Sequence, residues 1–165
     1  FALGICNGCQ VMSELKELIP GSEHWPKLER NNSNRFEARM VQVKINKSNS
    51  NFFDGMEGSQ LLVPVNHGEG KMIFPEHVSA KKIISDNLVP MQFCTNKGIE
   101  AKEFPENPNG STNGITAVTN DDGRFLIMMP HPERSFLNNQ LSWTNEKGKH
   151  SPWFKLFLNA RNFYS

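Results

Sequence analysis

Cys6 is the residue whose type and setting best suit covalent chemistry. It stands in the segment Gly-Ile-Cys-Asn-Gly at positions 4–8, after a short apolar run and before a helical pattern. A nucleophile on a sharp strand-to-helix turn needs small flanking residues, because the strained backbone leaves no room for a Cβ on either side. The helix N-terminus favours thiolate over thiol at Cys6, and the N–H of Asn7 would point to where an oxyanion forms. The pattern predicts a nucleophilic cysteine, with a buried structural cysteine as the alternative.

His131 and Glu133 form a second candidate pair, just after another apolar run. Two residues apart in an extended segment, their side chains project to the same side, and Pro130 and Pro132 hold that segment extended. A carboxylate placed there binds one imidazole nitrogen and leaves the other to face a nucleophile, whereas the alternative is a solvated surface loop. Functional groups of open α/β sheets gather at the carboxyl ends of the strands. We therefore expect Cys6 and this pair to meet in space.

Cys6 also forms a Cys-x-x-Cys pattern with Cys9, which indicates a competing class of function. Between a strand and a helix, such a pair is typical of thiol–disulfide oxidoreductases. Gly4 and the His-x-Glu pair have no role in a redox motif, so they favour the nucleophile. A zinc site would need two more ligands, and the five histidines show no paired ligand spacing.

His67 lies in a glycine-containing segment, Asn-His-Gly-Glu-Gly at positions 66–70. It could serve as a second base. The glycines favour a different interpretation, a loop that offers backbone amides and carbonyls to a small polar ligand.

Apolar patterns predict the elements that would position these residues. Strands are indicated at 1–5, 41–45, 61–65, 89–94, 115–119 and 125–129, and helices at 11–19 and 153–158. Pro64 suggests a strand end or an edge strand. The pattern predicts an α/β architecture, mainly sheet, with helices near both ends of the sequence.

Composition limits the classes of function. The 165 residues carry 18 Lys and Arg against 17 Asp and Glu, a formal net charge of +1. We expect no nucleic-acid or membrane partner, because the sequence has neither a basic excess nor an apolar stretch of about 18 residues. Three cysteines make a disulfide framework a poor interpretation, so we expect reduced thiols and a cytoplasmic location.

The motifs together resemble the class I (triad-type) glutamine amidotransferases. Within that class, the wording Cys-Asn-Gly-Cys-Gln at 6–10 and Pro-His-Pro-Glu-Arg at 130–134 is similar to the C-terminal glutaminase domains of the large, single-chain phosphoribosylformylglycinamidine synthases. Segments at 35–39, 67–70, 107–111 and 151–154 fit the same family in the same order. The resemblance implies an open, mainly parallel sheet with flanking helices, a flavodoxin-like three-layer sandwich. It also implies that residues 1–165 form one domain, the C-terminal portion of a glutaminase domain cut from a longer chain and lacking the first strands.

The resemblance assigns roles to eight residues. Cys6 would be the nucleophile, His131 its base and Glu133 the partner that orients His131. The residues expected to bind glutamine are Gln10, Asn7, Asn66, Gly68 and Glu69.

The implied reaction hydrolyses glutamine to glutamate through a Cys6 thioester and releases ammonia. A synthetase domain of the same parent chain would use the ammonia for ATP-dependent amidation of formylglycinamide ribonucleotide in de novo purine biosynthesis. The resemblance implies no cofactor in this chain, with ATP and Mg in the synthetase part. The alternatives are a redox pair of Cys6 and Cys9, or a glutaminase that supplies another acceptor.

Overall fold

The computed structural model describes residues 1–145 and 147–164 and contains a six-stranded sheet. The order across this sheet is β1, β8, β7, β6, β3, β4, and two further strands, β2 and β5, pair separately. The strands are β1 (Ala2–Ile5), β2 (Lys27–Glu29), β3 (Glu37–Ile45), β4 (Gln60–His67), β5 (Lys71–Ile73), β6 (Met91–Phe93), β7 (Ile115–Thr119) and β8 (Phe125–Met128). The helices are α1 (Asn7–Glu14), α2 (Ala80–Ser85) and α3 (Phe154–Asn162).

Strand pairing confirms the α/β class but differs from the expected mainly parallel arrangement. Only β1 and β8 run parallel, with Ile5 opposite Met128. The other pairs of the six-stranded sheet are antiparallel, and β7 and β8 form a hairpin, which the turn-forming residues at 120–123 suit. The short connection between β7 and β8 imposes antiparallel pairing on those two strands, because a parallel pair needs a long crossover and a hairpin does not. The single parallel pair aligns the carboxyl ends of β1 and β8.

Alternate residues of the strands pack into two separate cores, one on each face of the sheet. On β8, Leu126 and Met128 join the cluster that contains Leu156 of α3. Ile127 and the following Met129 join the cluster on the opposite face. That second cluster also contains Cys9 of α1 and Ile83 of α2. The period of two along the strand therefore produces the three-layer arrangement of helices around a sheet.

The sheet is curled, so that β4 approaches the segment beyond β8 although four strand pairings separate them. The backbone N–H of His131 donates to the carbonyl of Pro64 at 2.8 Å, and Trp153 Nε1 donates to the carbonyl of Leu62 at 2.8 Å. β4 has one strand partner in the sheet, β3, which agrees with the edge position that Pro64 predicted. The curl brings the carboxyl end of β4 next to the carboxyl ends of β1 and β8.

The helical pattern after Cys6 and the one near the C-terminus are both confirmed. α1 begins at Asn7, earlier than the predicted start at residue 11, and a 3-10 turn over Lys16–Leu18 completes the predicted segment. α2 and the pair of β2 and β5 were not predicted, although Ser79 caps α2 by accepting a hydrogen bond from the N–H of Lys82 at 3.4 Å. Within the two described ranges, no helix has the length and hydropathy needed to cross a bilayer.

Candidate active site

Cys6 occupies the sharp turn that the sequence predicted between β1 and α1. Its backbone has φ 52° and ψ −106°, in the left-handed half of φ that residues with a side chain rarely adopt. A Cβ on Gly4 would lie 2.7 Å from the carbonyl oxygen of Gly8 and 2.7 Å from Sδ of Met12. A Cβ on Gly8 would meet nothing within 4 Å. The expected need for a small residue is therefore confirmed at position 4, where β1 packs directly against α1. The same expectation is wrong at position 8, where a Cβ would meet no other part of the protein within 4 Å.

Burial gives Cys6 a different electrostatic state from the expected thiolate. Burial raises the pKa of the Cys6 thiol above its ordinary value, and the charge of Glu133 raises it further. The backbone N–H of Asn7 and the guanidinium of Arg134 offset part of this effect. The helix N-terminus acts in the predicted direction, but desolvation outweighs it. Cys6 is therefore a thiol at neutral pH that needs a base to remove its proton.

His131 and Glu133 are in hydrogen-bond contact, with Nδ1 of His131 2.6 Å from Oε1 of Glu133. The segment is not extended as predicted. Pro132 to Arg134 form a 3-10 turn, which the fixed φ of Pro132 suits, and the turn bends Glu133 back toward the imidazole. Burial alone would raise the pKa of the Glu133 carboxyl, but the hydrogen bond from His131 and the cationic neighbours lower it overall. An ionised Glu133 accepts a hydrogen bond from Nδ1–H of His131, and this tautomer leaves Nε2 free to accept a proton.

The parallel pairing of β1 and β8 brings the cysteine and the histidine segments together. The backbone N–H of Cys6 donates to the carbonyl of Met128 at 2.9 Å, three residues before His131. The thiol of Cys6 donates to the carbonyl of Asn66 at 3.8 Å rather than to His131. Among the described residues, Nε2 of His131 is buried and has no hydrogen-bond partner. Catalytic hydrogen bonds are often unformed without substrate, so this geometry suits a site that aligns on binding.

The loop at 66–70, which comprises the last two residues of β4 and the turn after them, carries three of the residues expected to bind glutamine. The carbonyl of Asn66 contacts Cys6, and the carbonyl of Glu69 accepts a hydrogen bond from Nε2 of Gln10 at 2.9 Å. Gly68 lies against Phe36, whose Cδ2 would be 3.7 Å from a Cβ at position 68. Gln10 thus connects α1 to the loop, and the loop borders Cys6.

Sequence reasoning missed the buried side chains that hold this loop. Asn31 is 1% exposed, donates to the carbonyls of Arg35 and His67, and accepts from the N–H of Gly70. Asn109 donates to the carbonyl of Gly70 at 2.7 Å and contacts Nε2 of His67 at 3.1 Å. Both asparagines lie in polar segments with no apolar pattern, and only the pairing of distant loops shows that they are buried.

Other candidates lie apart from this arrangement. Cys9 is fully buried in the core, which raises the pKa of its thiol far above the ordinary value and does not suit a redox partner. No three His, Cys, Asp or Glu side chains of the described ranges group closely enough to hold a metal ion. A groove of about 860 Å³ runs beside Phe36 and Phe104, and none of the predicted site residues line it.

Comparison with known proteins connects this geometry to a family. The structure of PurLQS from Thermotoga maritima matches with a TM-score of 0.70 and 22% sequence identity, covering 99% of this chain and 61% of that chain. A structure from Thermoplasma acidophilum, described as a GMP synthase component, matches with a TM-score of 0.51 and 13% identity, covering 98% of this chain and 59% of the other. The chain thus spans about 60% of the length of each. These likenesses show the fold, and the family follows from the sequence. The CobB/CobQ-like glutamine amidotransferase domain matches residues 1–164, and the chain belongs to that family.

Proposed function

We propose that this chain carries the glutaminase reaction of an amidotransferase, with Cys6 as the nucleophile. One observation supports this most strongly: Cys6 stands on a positive-φ turn at the end of β1, and the His131–Glu133 pair follows the neighbouring parallel strand β8. The arrangement provides a thiol, a base and a carboxylate that fixes the tautomer of the base.

The first half of the reaction forms a thioester. Nε2 of His131 takes the proton of Cys6, and the sulfur attacks the side-chain carbonyl carbon of glutamine. The N–H of Asn7, at the N-terminus of α1, stabilises the oxyanion. His131 then gives its proton to the departing nitrogen, which leaves as ammonia. Glu133 stabilises the imidazolium that forms between these two proton transfers.

The second half regenerates the thiol. His131 accepts a proton from water, and the resulting hydroxide attacks the γ-glutamyl thioester. The bond between carbon and sulfur breaks, glutamate leaves, and Cys6 recovers the proton from His131. The raised pKa of Cys6 fits this cycle, because the thiolate forms when His131 is in place rather than standing free.

The loop at 66–70 and Gln10 would bind the substrate. The carbonyl of Asn66 contacts the thiol of Cys6, and the bond from Gln10 to the carbonyl of Glu69 joins α1 to the loop that also carries Gly68. A polar ligand such as the α-amino and carboxylate groups of glutamine suits a surface of backbone donors and acceptors.

The ammonia is proposed to serve purine biosynthesis, in the manner of phosphoribosylformylglycinamidine synthase. The motifs at 6–10 and 130–134 and the likeness to PurLQS support this assignment. A synthetase part, with ATP and Mg, would amidate formylglycinamide ribonucleotide in the cytoplasm. A different acceptor for the ammonia is the alternative.

Covalent labelling tests the proposal. The protein is incubated with an electrophilic diazo-ketone analogue of glutamine, and intact mass and peptide mapping locate the adduct. The expected result is one adduct on Cys6, absent in Cys6→Ala and present in Cys9→Ser. The redox alternative predicts that Cys9→Ser removes the reactivity. No adduct on Cys6, in this chain or in the full parent protein, would refute the glutaminase assignment.

A further inference from the structure

His67 and Asn109 form a buried contact that the proposed reaction does not use. His67 is 3% exposed and Asn109 is completely buried. Nδ2 of Asn109 lies 3.1 Å from Nε2 of His67, and the ring packs against Gly70, where a Cβ would collide with it. Nδ1 of His67 has no hydrogen-bond partner among the described residues. The contact sits at the base of the loop that borders Cys6.

The surroundings of Asn109 determine which way its amide points. Its Oδ1 accepts from the backbone N–H of Ser111 at 3.0 Å and from the hydroxyl of Ser111 at 2.7 Å. Its Nδ2 donates to the carbonyl of Gly70 at 2.7 Å. A backbone N–H can only donate and a carbonyl can only accept, so a reversed amide would break the two hydrogen bonds with the N–H of Ser111 and the carbonyl of Gly70. Nδ2 therefore presents its second hydrogen to His67.

This orientation determines the proton of His67. Because Asn109 donates, Nε2 of His67 must accept, so the neutral ring carries its proton on Nδ1. A proton on Nε2 would place the N–H of His67 against the N–H of Asn109, two donors with no acceptor between them. Burial, together with the nearby His131, already lowers the pKa of His67 to about 4. The burial of the ring and the hydrogen bond from Asn109 therefore both lower the pKa of His67.

Two ionisable groups on other elements face His67 in the part of the chain that the structure describes. His131 approaches from beyond β8, and Glu37 is the residue opposite His67 on β3. Glu37 is occupied, because it accepts from the hydroxyl of Ser33 at 2.8 Å and lies 3.5 Å from Nε of Arg39. On the loop itself, Glu69 pairs with Arg30 at 3.6 Å. Neither carboxylate is placed to stabilise a charged His67.

We propose that Asn109 holds His67 as a neutral ring protonated on Nδ1. His67 is then a positioning residue, which keeps the loop at 66–70 against Cys6. It also leaves His131 as the imidazole that gains a proton during the reaction. The functional half of this inference rests on the proposed glutaminase activity. A second positive charge beside His131 would oppose the transfer of the Cys6 proton to it. The neutral ring removes that opposition throughout the neutral pH range.

Nitrogen-15 NMR of the histidine rings tests the assignment on the unaltered protein. We expect His67 to show a protonated Nδ1 and an unprotonated Nε2, and to titrate near pH 4. A protonated Nε2, or a charged His67 at pH 6, would overturn the proposal without any variant and without an activity assay.

Asn109→Ala tests the role of the amide. It leaves space for a water that can accept from Nε2, so the titration of His67 should rise from about 4 toward the ordinary value of 6.5. Asn107→Ala is the matched control, because Asn107 lies in the same buried turn and its side chain bonds the backbone groups of Ala101, Gly110 and Ser111 rather than His67. Asn107→Ala should leave the titration of His67 near 4.

Activity links the proton to the reaction. In Asn109→Ala, kcat/KM for glutamine hydrolysis should fall with decreasing pH at the midpoint where NMR shows His67 to titrate. The double variant His67→Gln/Asn109→Ala lacks the His67 ring, so it should lose the part of this limb that follows the NMR midpoint of His67. A loss in Asn109→Ala that is the same at every pH, and equal to that of Asn107→Ala, would show a purely structural role and overturn the proposal. Absence of glutaminase activity together with the expected NMR result would instead refute the proposed function alone.

Discussion

The two glycines that flank Cys6 should respond to alanine in opposite ways. In Gly4→Ala, the new methyl group would lie 2.7 Å from the carbonyl oxygen of Gly8 and 2.7 Å from Sδ of Met12. Met12 is flexible and can move, but the backbone of Gly8 cannot move without shifting α1. Overpacking of this kind costs about 1–3 kcal/mol, which lowers the Tm of a domain of this size by about 2–12 °C.

Gly8→Ala is the matched control. A Cβ at position 8 meets nothing within 4 Å, and alanine stabilises a helix over glycine by about 0.5–1 kcal/mol. We therefore expect Gly8→Ala to leave the Tm unchanged or raise it slightly.

Thermal unfolding and the rate of Cys6 labelling by the glutamine analogue measure the two effects together. Since α1 supplies the turn on which Cys6 stands, the shift in Gly4→Ala should also slow labelling, by up to about 10²-fold if the thiol moves by about 1 Å. The packing of α1 on β1 would be refuted by a Gly4→Ala protein as stable as the unsubstituted protein. It would also be refuted by a Gly8→Ala protein that is destabilised more than Gly4→Ala.

Three further predictions concern the proposed chemistry. Glu133→Gln should lower kcat by about 10²–10⁴-fold, because a neutral amide does not stabilise the imidazolium of His131. Steady-state glutaminase assays measure this effect, and an unchanged kcat would contradict it. Cys9→Ser should destabilise the protein by about 1–3 kcal/mol in denaturant unfolding, because it buries a hydroxyl in an apolar core. The variant should keep its glutaminase activity. Loss of activity in the folded variant would favour the redox pair. The rate at which iodoacetamide alkylates Cys6 without glutamine should rise with pH, with a midpoint above 9.0, because burial raises the pKa of the thiol and the thiolate is the reactive form. A midpoint below 9.0 would contradict this assignment.

Local sequence predicted the segments that carry the chemistry because their signals depend on near neighbours. The apolar run at 1–5, the glycine at position 4 and the helical pattern after Cys6 predict a strand, a turn and a helix within a short stretch of chain. His131 and Glu133 are close along the chain, so their contact followed from spacing, although a 3-10 turn rather than an extended segment produces it. Even here, desolvation of Cys6 was missed, since burial depends on residues far away in the sequence.

The tertiary structure alone determined how distant segments complete the site. Curling of the sheet brings the carbonyl of Asn66 on β4 to the thiol of Cys6, and no local pattern encodes that curvature. Asn31 and Asn109 look like ordinary turn residues, yet each pairs with Gly70 of the loop at 66–70 across 39 positions of sequence. A buried polar side chain is stable only when its partners come from other parts of the chain, so its role is a property of the packed structure. The sequence by itself determined the reactive groups and the local turns that present them, and the packed sheet decided their burial, their protonation and the loop that faces them.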